Sequence, residues 1–146
     1  MAEPDLEGEA FRAFVTDVQN EAEEALTRGD AGPRLEMWSH RDPVTLFAAV
    51  GPTKAGWSDL EPAFRAVASR LSDGRDVHFE LLAFDVSGDV AWSAGVTRFT
   101  VAMDGRPPAP MVIRLTHAYR REDGAWKVVH EHSDFQRADH VVPAHA

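Results

Sequence analysis

The chain has 146 residues, 44% of them hydrophobic and 9% aromatic, with 24 acidic against 15 basic side chains, a formal net charge of −9 and no cysteine. That is one domain's length with enough apolar surface for a packed core, and no run reaches the ~18 apolar residues of a membrane span, which excludes a disordered polymer and a spanning helix. Lacking cysteine, the chain has no disulfide, thiol nucleophile or thiolate-bound zinc, and its acidity argues against a nucleic-acid partner, which needs clustered basic charge.

Residues 1–10 read as an acidic leader. They lack the basic start and apolar run of a secretory signal, so a cytoplasmic protein is the expectation. Residues 1–30 hold nine acids and two bases, so most of the net charge sits in the first element. Phe11, Phe14, Val15, Val18, Ala22, Ala25 and Leu26 form one helical stripe and predict a helix over about 11–28. Gly29 ends it, and Pro33 opens a short second helix through Trp38. Asp42-Pro43 turns the chain into an apolar strand, 44–50, which Gly51-Pro52 closes. Ser58-Asp-Leu-Glu61 has the form of a capping box for a third helix over about 59–71. Strands follow over about 77–86, 90–102, 111–122 and 125–135. Residues 11–135 are read as a single domain and 136–146 as a tail. Helices followed by a meander of strands imply an α+β fold with helices on one face of an antiparallel sheet.

Asp123-Gly124 is a preferred two-residue hairpin turn, because both residue types tolerate positive φ. A regular register then sets Tyr119 opposite Val128 and His117 opposite His130. Alternation places Ile113, Leu115, His117, Tyr119, Trp126, Val128, His130, His132 and Asp134 on one face, the more apolar one, assigned to the helix side. Arg114 and Glu131 fall on the other, as a surface ion pair, beside Val112, Ala118, Val129 and Phe135. On the preceding strand, Val90, Trp92, Ala94, Val96 and Arg98 read as a cavity wall with a cation at its mouth.

Gly56-Trp57, Ser87-Gly-Asp-Val-Ala-Trp92 and Ile113-Arg-Leu-Thr-His-Ala-Tyr-Arg-Arg-Glu-Asp-Gly-Ala-Trp-Lys-Val-Val-His-Glu-His-Ser133 together resemble the SnoaL-like branch of the nuclear transport factor 2-like superfamily. The resemblance implies a cone-shaped α+β barrel, in which a curved antiparallel sheet wraps around the N-terminal helices. It also implies an apolar pocket in the opening and a homodimer through the outer sheet face. Members include ketosteroid isomerase, cyclases and the association domain of calmodulin-dependent kinase, so the resemblance leaves function open. The oxyanion-hole tyrosine of the isomerase has no counterpart here, since the first helix offers Phe14, Val15 and Val18. Cyclases of the SnoaL type pair an Asp with a His, and the candidates here are Asp134 with His130 or His132, and Asp42 with His40.

Three functions follow. The first is binding of an unidentified small molecule in an apolar, histidine-lined pocket, with Trp38, His40, Asp42, Trp57, Trp92, Arg98 and Tyr119 as ligand contacts. The second is acid/base catalysis on a small apolar or aromatic substrate by His117, His130, His132 and Asp134, because imidazole titrates near neutrality. The third is a metal held by the three histidines. No cofactor is expected, and a charged ligand would be an anion. His78, His140 and His145 read as solvated.

Overall fold

The computed structural model describes residues 5–136; most of the expected tail, with His140 and His145, lies outside the described residues. Helix α1 (Leu6–Leu26) starts well before residue 11, because Asp5 caps it by accepting the Gly8 amide at 2.9 Å. Glu7 and Glu9 occupy its first turn, where a carboxylate complements the helix dipole, so part of the expected leader is helix. Helix α2 (Gly32–Met37) has Pro33 in its first turn, as the sequence predicts. Strand β1 (Thr45–Phe47) is shorter than 44–50 and turns back into β2 (Thr53–Ala55), a hairpin that three exposed residues did not announce.

Helix α3 (Trp57–Ser69) begins without the predicted capping box. Its N-cap is Gly56, and the free amide of Trp57 is taken by Asp42 Oδ1 at 2.8 Å from a distant turn. Strand β3 (Leu71–Ser87) starts earlier than residue 77 and slips register three times against β4 (Val90–Met103). Those bulges bend it around α1, and they hide its alternation from the sequence. Its Phe79 ring lies where a side chain on Gly95 would be, since a Cβ there would approach within 2.5 Å. Strands β5 (Ala109–Glu122) and β6 (Ala125–Phe135) complete the meander, joined by Asp123 and Gly124, both at positive φ.

The sheet order is β2-β1-β6-β5-β4-β3, with β1 parallel to β6. The N-terminal helices pack on a curved antiparallel meander as expected, and the β1–β6 pair makes the sheet mixed and leaves it open. Phe11 of α1 packs edge-on against Tyr119 and Trp126, with centroids 5.0 and 5.3 Å away, and Trp38, Leu60 and Phe64 fill the space beyond.

The β5–β6 hairpin departs from the predicted register at one point. Tyr119 faces Val128 as expected, but the next pair is Ala118 with His130, leaving Val129 as an extra residue. A one-residue bulge exchanges every later side chain between faces. From the bulge onward His117 stands opposite Glu131 and Leu115 opposite Ser133. Glu131, Ser133 and Phe135 therefore turn inward, while His130, His132 and Asp134 turn outward. The faces of β4 are reversed as well: Ala91, Ser93, Thr97, Phe99 and Val101 are buried, and Trp92 and Arg98 are exposed on the outer face.

Candidate functional site

The three helices, the β1–β2 turn and the inner sheet face enclose a cavity of about 60 Å³. On the same measure a water needs ~10–15 Å³, so it holds several waters or a slim organic group. Leu26, Leu46, Ala48, Ala49, Val50, Phe64, Val67, Leu71, Phe99, Met103, Ile113, Leu115 and Phe135 make its walls apolar. Its polar lining comes from Glu23 on α1, Arg34 on α2, Thr97 on β4, and Glu131 and Ser133 on β6.

Apart from Thr97, these groups form one buried network. Arg34 donates through Nη2 to Glu23, and its Nη1 lies 3.7 Å from Glu131. His117 Nε2 meets Glu131 Oε1 at 2.8 Å, and Ser133 donates to Oε2 at 3.2 Å while accepting the Ala49 amide at 2.9 Å. Behind His117, its Nδ1 is 3.4 Å from the Tyr119 hydroxyl, which pairs with Ser93 at 2.8 Å. With Glu131 ionised, a carboxylate only accepts, so His117 Nε2 carries a hydrogen and Nδ1 is left to face Tyr119. Gln19 donates to Glu23 at 3.2 Å. Thr97 Oγ1 and Arg34 Nε have no hydrogen-bond partner among the described residues.

The two carboxylates sit in opposite electrostatic settings. Burial pushes Glu23 above the ordinary carboxylate range, more than Arg34 offsets. Burial also pushes on Glu131, but the hydrogen bond and charge of His117, together with Arg34, hold it below that range. Burial raises the Tyr119 phenol, which stays protonated.

The sequence-derived candidates lie elsewhere, apart from two. His117 and Tyr119 belong to the network, behind Glu131, and among the described residues no histidine lines the cavity. His130 and His132 pack their rings against Phe47 on the outer face, and His130 Nδ1 is 2.7 Å from the Thr45 hydroxyl. Burial, then the neighbouring His132, lowers the His130 pKa. Asp134 pairs with Arg114 there, taking the place expected for Glu131. Trp38 is core, and Trp92 and Arg98 are on the outer face. His40 stacks on Trp57 with centroids 4.0 Å apart and donates to the Leu35 carbonyl, while Asp42 caps α3. The bulge divides the three histidines between faces, so they cannot share an ion. No group of three or more metal-ligating side chains converges among the described residues. With Arg98 outside and two carboxylates on the cavity wall, the cationic character expected of the pocket is not found.

Sequence reasoning missed Glu23, Arg34, Thr97, Glu131 and Ser133. Gln19 and Glu23 were legible as polar residues within the apolar stripe of α1, four apart in step with Phe11 and Val15. Glu131 and Ser133 were not, because the bulge carries no sequence mark.

Residues 15–136 match the SnoaL-like domain family. No curated protein matches the chain. Among solved structures, a proposed dehydratase of the NTF2-like family from Streptomyces avermitilis is similar at a TM-score of 0.69 and 18% identity, covering 90% of this chain and 99% of that one. A proposed calcium/calmodulin-dependent protein kinase II association domain from Xanthomonas campestris gives 0.63 and 20%, covering 94% of each chain. An NTF2-like protein of unknown function from Shewanella baltica gives 0.61 and 12%, covering 94% and 100%. At these identities the likeness is one of fold.

The two buried carboxylates give opposite pH dependences. Glu23, raised in the fold, contributes stability that is complete below its unfolded value near 4.5 and is lost as pH rises through its folded value. Glu131, lowered, contributes stability above that value, lost as pH falls through its folded one. In urea unfolding across about pH 3–8, Glu23→Gln is expected to remove the loss on the alkaline side. Glu131→Gln is expected to flatten the acid limb and to cost roughly 3 kcal/mol at neutral pH, because it strands buried partners.

Proposed function

The chain belongs to the SnoaL-like domain family, and from that membership we propose that it binds a small, mainly apolar molecule in the cavity, with the molecule's polar end against Arg34, Thr97 and Glu131. The observation that carries this reading is a cavity with apolar walls and a few buried polar side chains: Glu23, Arg34, Glu131 and Ser133, joined in one network, and Thr97, whose hydroxyl has no partner among the described residues. Binding pockets commonly combine apolar walls with a few convergent polar groups.

Proton transfer on the bound molecule is the second reading. It is favoured by the opposite displacements of Glu23 and Glu131 around one guanidinium, a pattern that separates an acid from a base. Glu131, supported by His117, is then the base and Glu23 the acid.

A homodimer through the outer sheet face accompanies either reading. Leu82, Val90 and Trp92 are 63%, 59% and 46% exposed on or beside that face, and a two-fold pairing would set this apolar patch against itself. Among the described residues no helix is long and apolar enough to cross a membrane.

Native mass spectrometry of the purified protein, before and after incubation with a metabolite extract, is expected to reveal a small-molecule adduct. The adduct should be lost on denaturation and from Leu115→Trp, which fills the cavity; an adduct that this variant retains contradicts the reading. In analytical ultracentrifugation the protein should sediment as a dimer and Trp92→Glu as a folded monomer. An unaltered dimer in Trp92→Glu removes the outer face as the interface.

A further inference from the structure

We propose that the β1–β2 turn, residues 48–52, is the gate of the cavity and that Ser133 is the latch that holds it shut. This deepens the proposed binding role and rests on it for what passes through.

The apolar lining divides by exposure. Ala48, Ala49 and Val50 of the turn, Val67 of α3, Met103 of β4 and Phe135 of β6 are half-buried, whereas the other apolar wall residues are buried. Those six therefore rim the mouth. Within the rim only the turn lies outside a helix or strand, so it is the part not braced by repeated backbone hydrogen bonds. A cavity of about 60 Å³ holds several waters, and a ligand much larger than that is accommodated only if a wall moves.

The hydrogen bonds of the turn set it apart from its surroundings. Ala48 donates to the Pro52 carbonyl and Gly51 to the Ala48 carbonyl, each at 3.0 Å, so the turn is braced within itself. Among the described residues, its one hydrogen bond to the rest of the chain runs from the Ala49 N–H to Ser133 Oγ at 2.9 Å. The single hydroxyl hydrogen of Ser133 goes to Glu131 Oε2 at 3.2 Å, which leaves its lone pairs for Ala49. The buried network thus orients the latch. Gly51 has a φ of +119°, and no atom lies within 4 Å of where its side chain would begin, so the tip of the turn has room to move.

Because the chain has no cysteine, a single one placed on the inner wall reports access to the cavity. Leu115→Cys is labelled with methyl methanethiosulfonate at fixed pH, alone and combined with Ser133→Ala; Ile113→Cys is the second reporter should Leu115→Cys not fold. Val101→Cys, buried and absent from the cavity wall, reports opening of the whole fold. With Ser133 intact, the cavity cysteine is expected to label more slowly than an exposed cysteine but faster than Val101→Cys. Its rate should be nearly independent of urea below the unfolding transition, because opening a turn exposes little surface, while the Val101→Cys rate climbs steeply. Ser133→Ala removes one hydrogen bond and should speed cavity labelling roughly three- to tenfold with that independence kept. Ser133→Thr keeps the hydroxyl and should label slowly.

Cavity labelling as fast as at an exposed cysteine, or unmoved by Ser133→Ala, overturns the gate. So does a cavity cysteine that follows Val101→Cys in rate and urea dependence, or a Ser133→Thr that labels as fast as Ser133→Ala. None of these readouts needs a ligand. The gate can therefore fail while the adduct measurement upholds the binding role, and loss of the adduct leaves the labelling rates as they are.

Discussion

Arg34 lies buried between two carboxylates from different parts of the fold, Glu23 on the first helix and Glu131 on the last strand. A lone buried charge is very costly, so Arg34 and Glu131 are not tolerable there without partners, while burial favours the neutral form of Glu23. The cluster consequently ties the α1–α2 corner to β6 at a set separation. Such pairs add little net stability over well-packed apolar residues, but losing one member is severe. Their physical effect is to fix position. The cavity lies beside this cluster, which supplies Glu23, Arg34 and Glu131 to its lining.

The geometry depends in turn on one extra residue. Without the bulge at Val129, Glu131 would point to solvent beside Arg114, and His130 and His132 would enter the core. With it, Glu131 reaches both Arg34 and His117, and the chain of hydrogen bonds through Tyr119 to Ser93 runs back along the inner sheet face. Outside, Asp134 takes the vacated place beside Arg114. The same bulge lets Val128 stay against Trp38 and Tyr119 against Phe11 in the packed end of the cone.

The elements with strong local signals were legible: the apolar stripe of α1, Pro33 opening α2, and the Asp123-Gly124 turn that starts the hairpin. The residues quoted for the family resemblance led to the family that the chain matches. What local pattern could not reveal was set by distant partners or by register. Asp42 caps α3 across fifteen positions of chain, so Ser58 is not needed at the helix start. Strand β1 lies within the apolar run read at 44–50, but β2 is three exposed residues with no apolar pattern to read. The candidate site suffered most, because its assignment rested on strict alternation along β6. Two of the eleven residues singled out, His117 and Tyr119, join the buried network; both lie on β5, whose alternation stays regular because the extra residue is on β6. Gln19 and Glu23 were visible as polar interruptions of an apolar stripe, a pattern that marks a buried network as readily as a helix's wet edge.

Glu23 and Glu131 are buried together on the cavity wall, where burial dominates at Glu23 while His117 and Arg34 stabilise the charge of Glu131. Carbon-13 NMR titration of the two side-chain carboxyls tests it most directly. Glu131 is expected to titrate below the ordinary glutamate value near 4.5 and Glu23 above it, with the Glu131 resonance responding to His117→Gln. Two glutamates titrating together at the ordinary value, as solvent-exposed groups do, would contradict it.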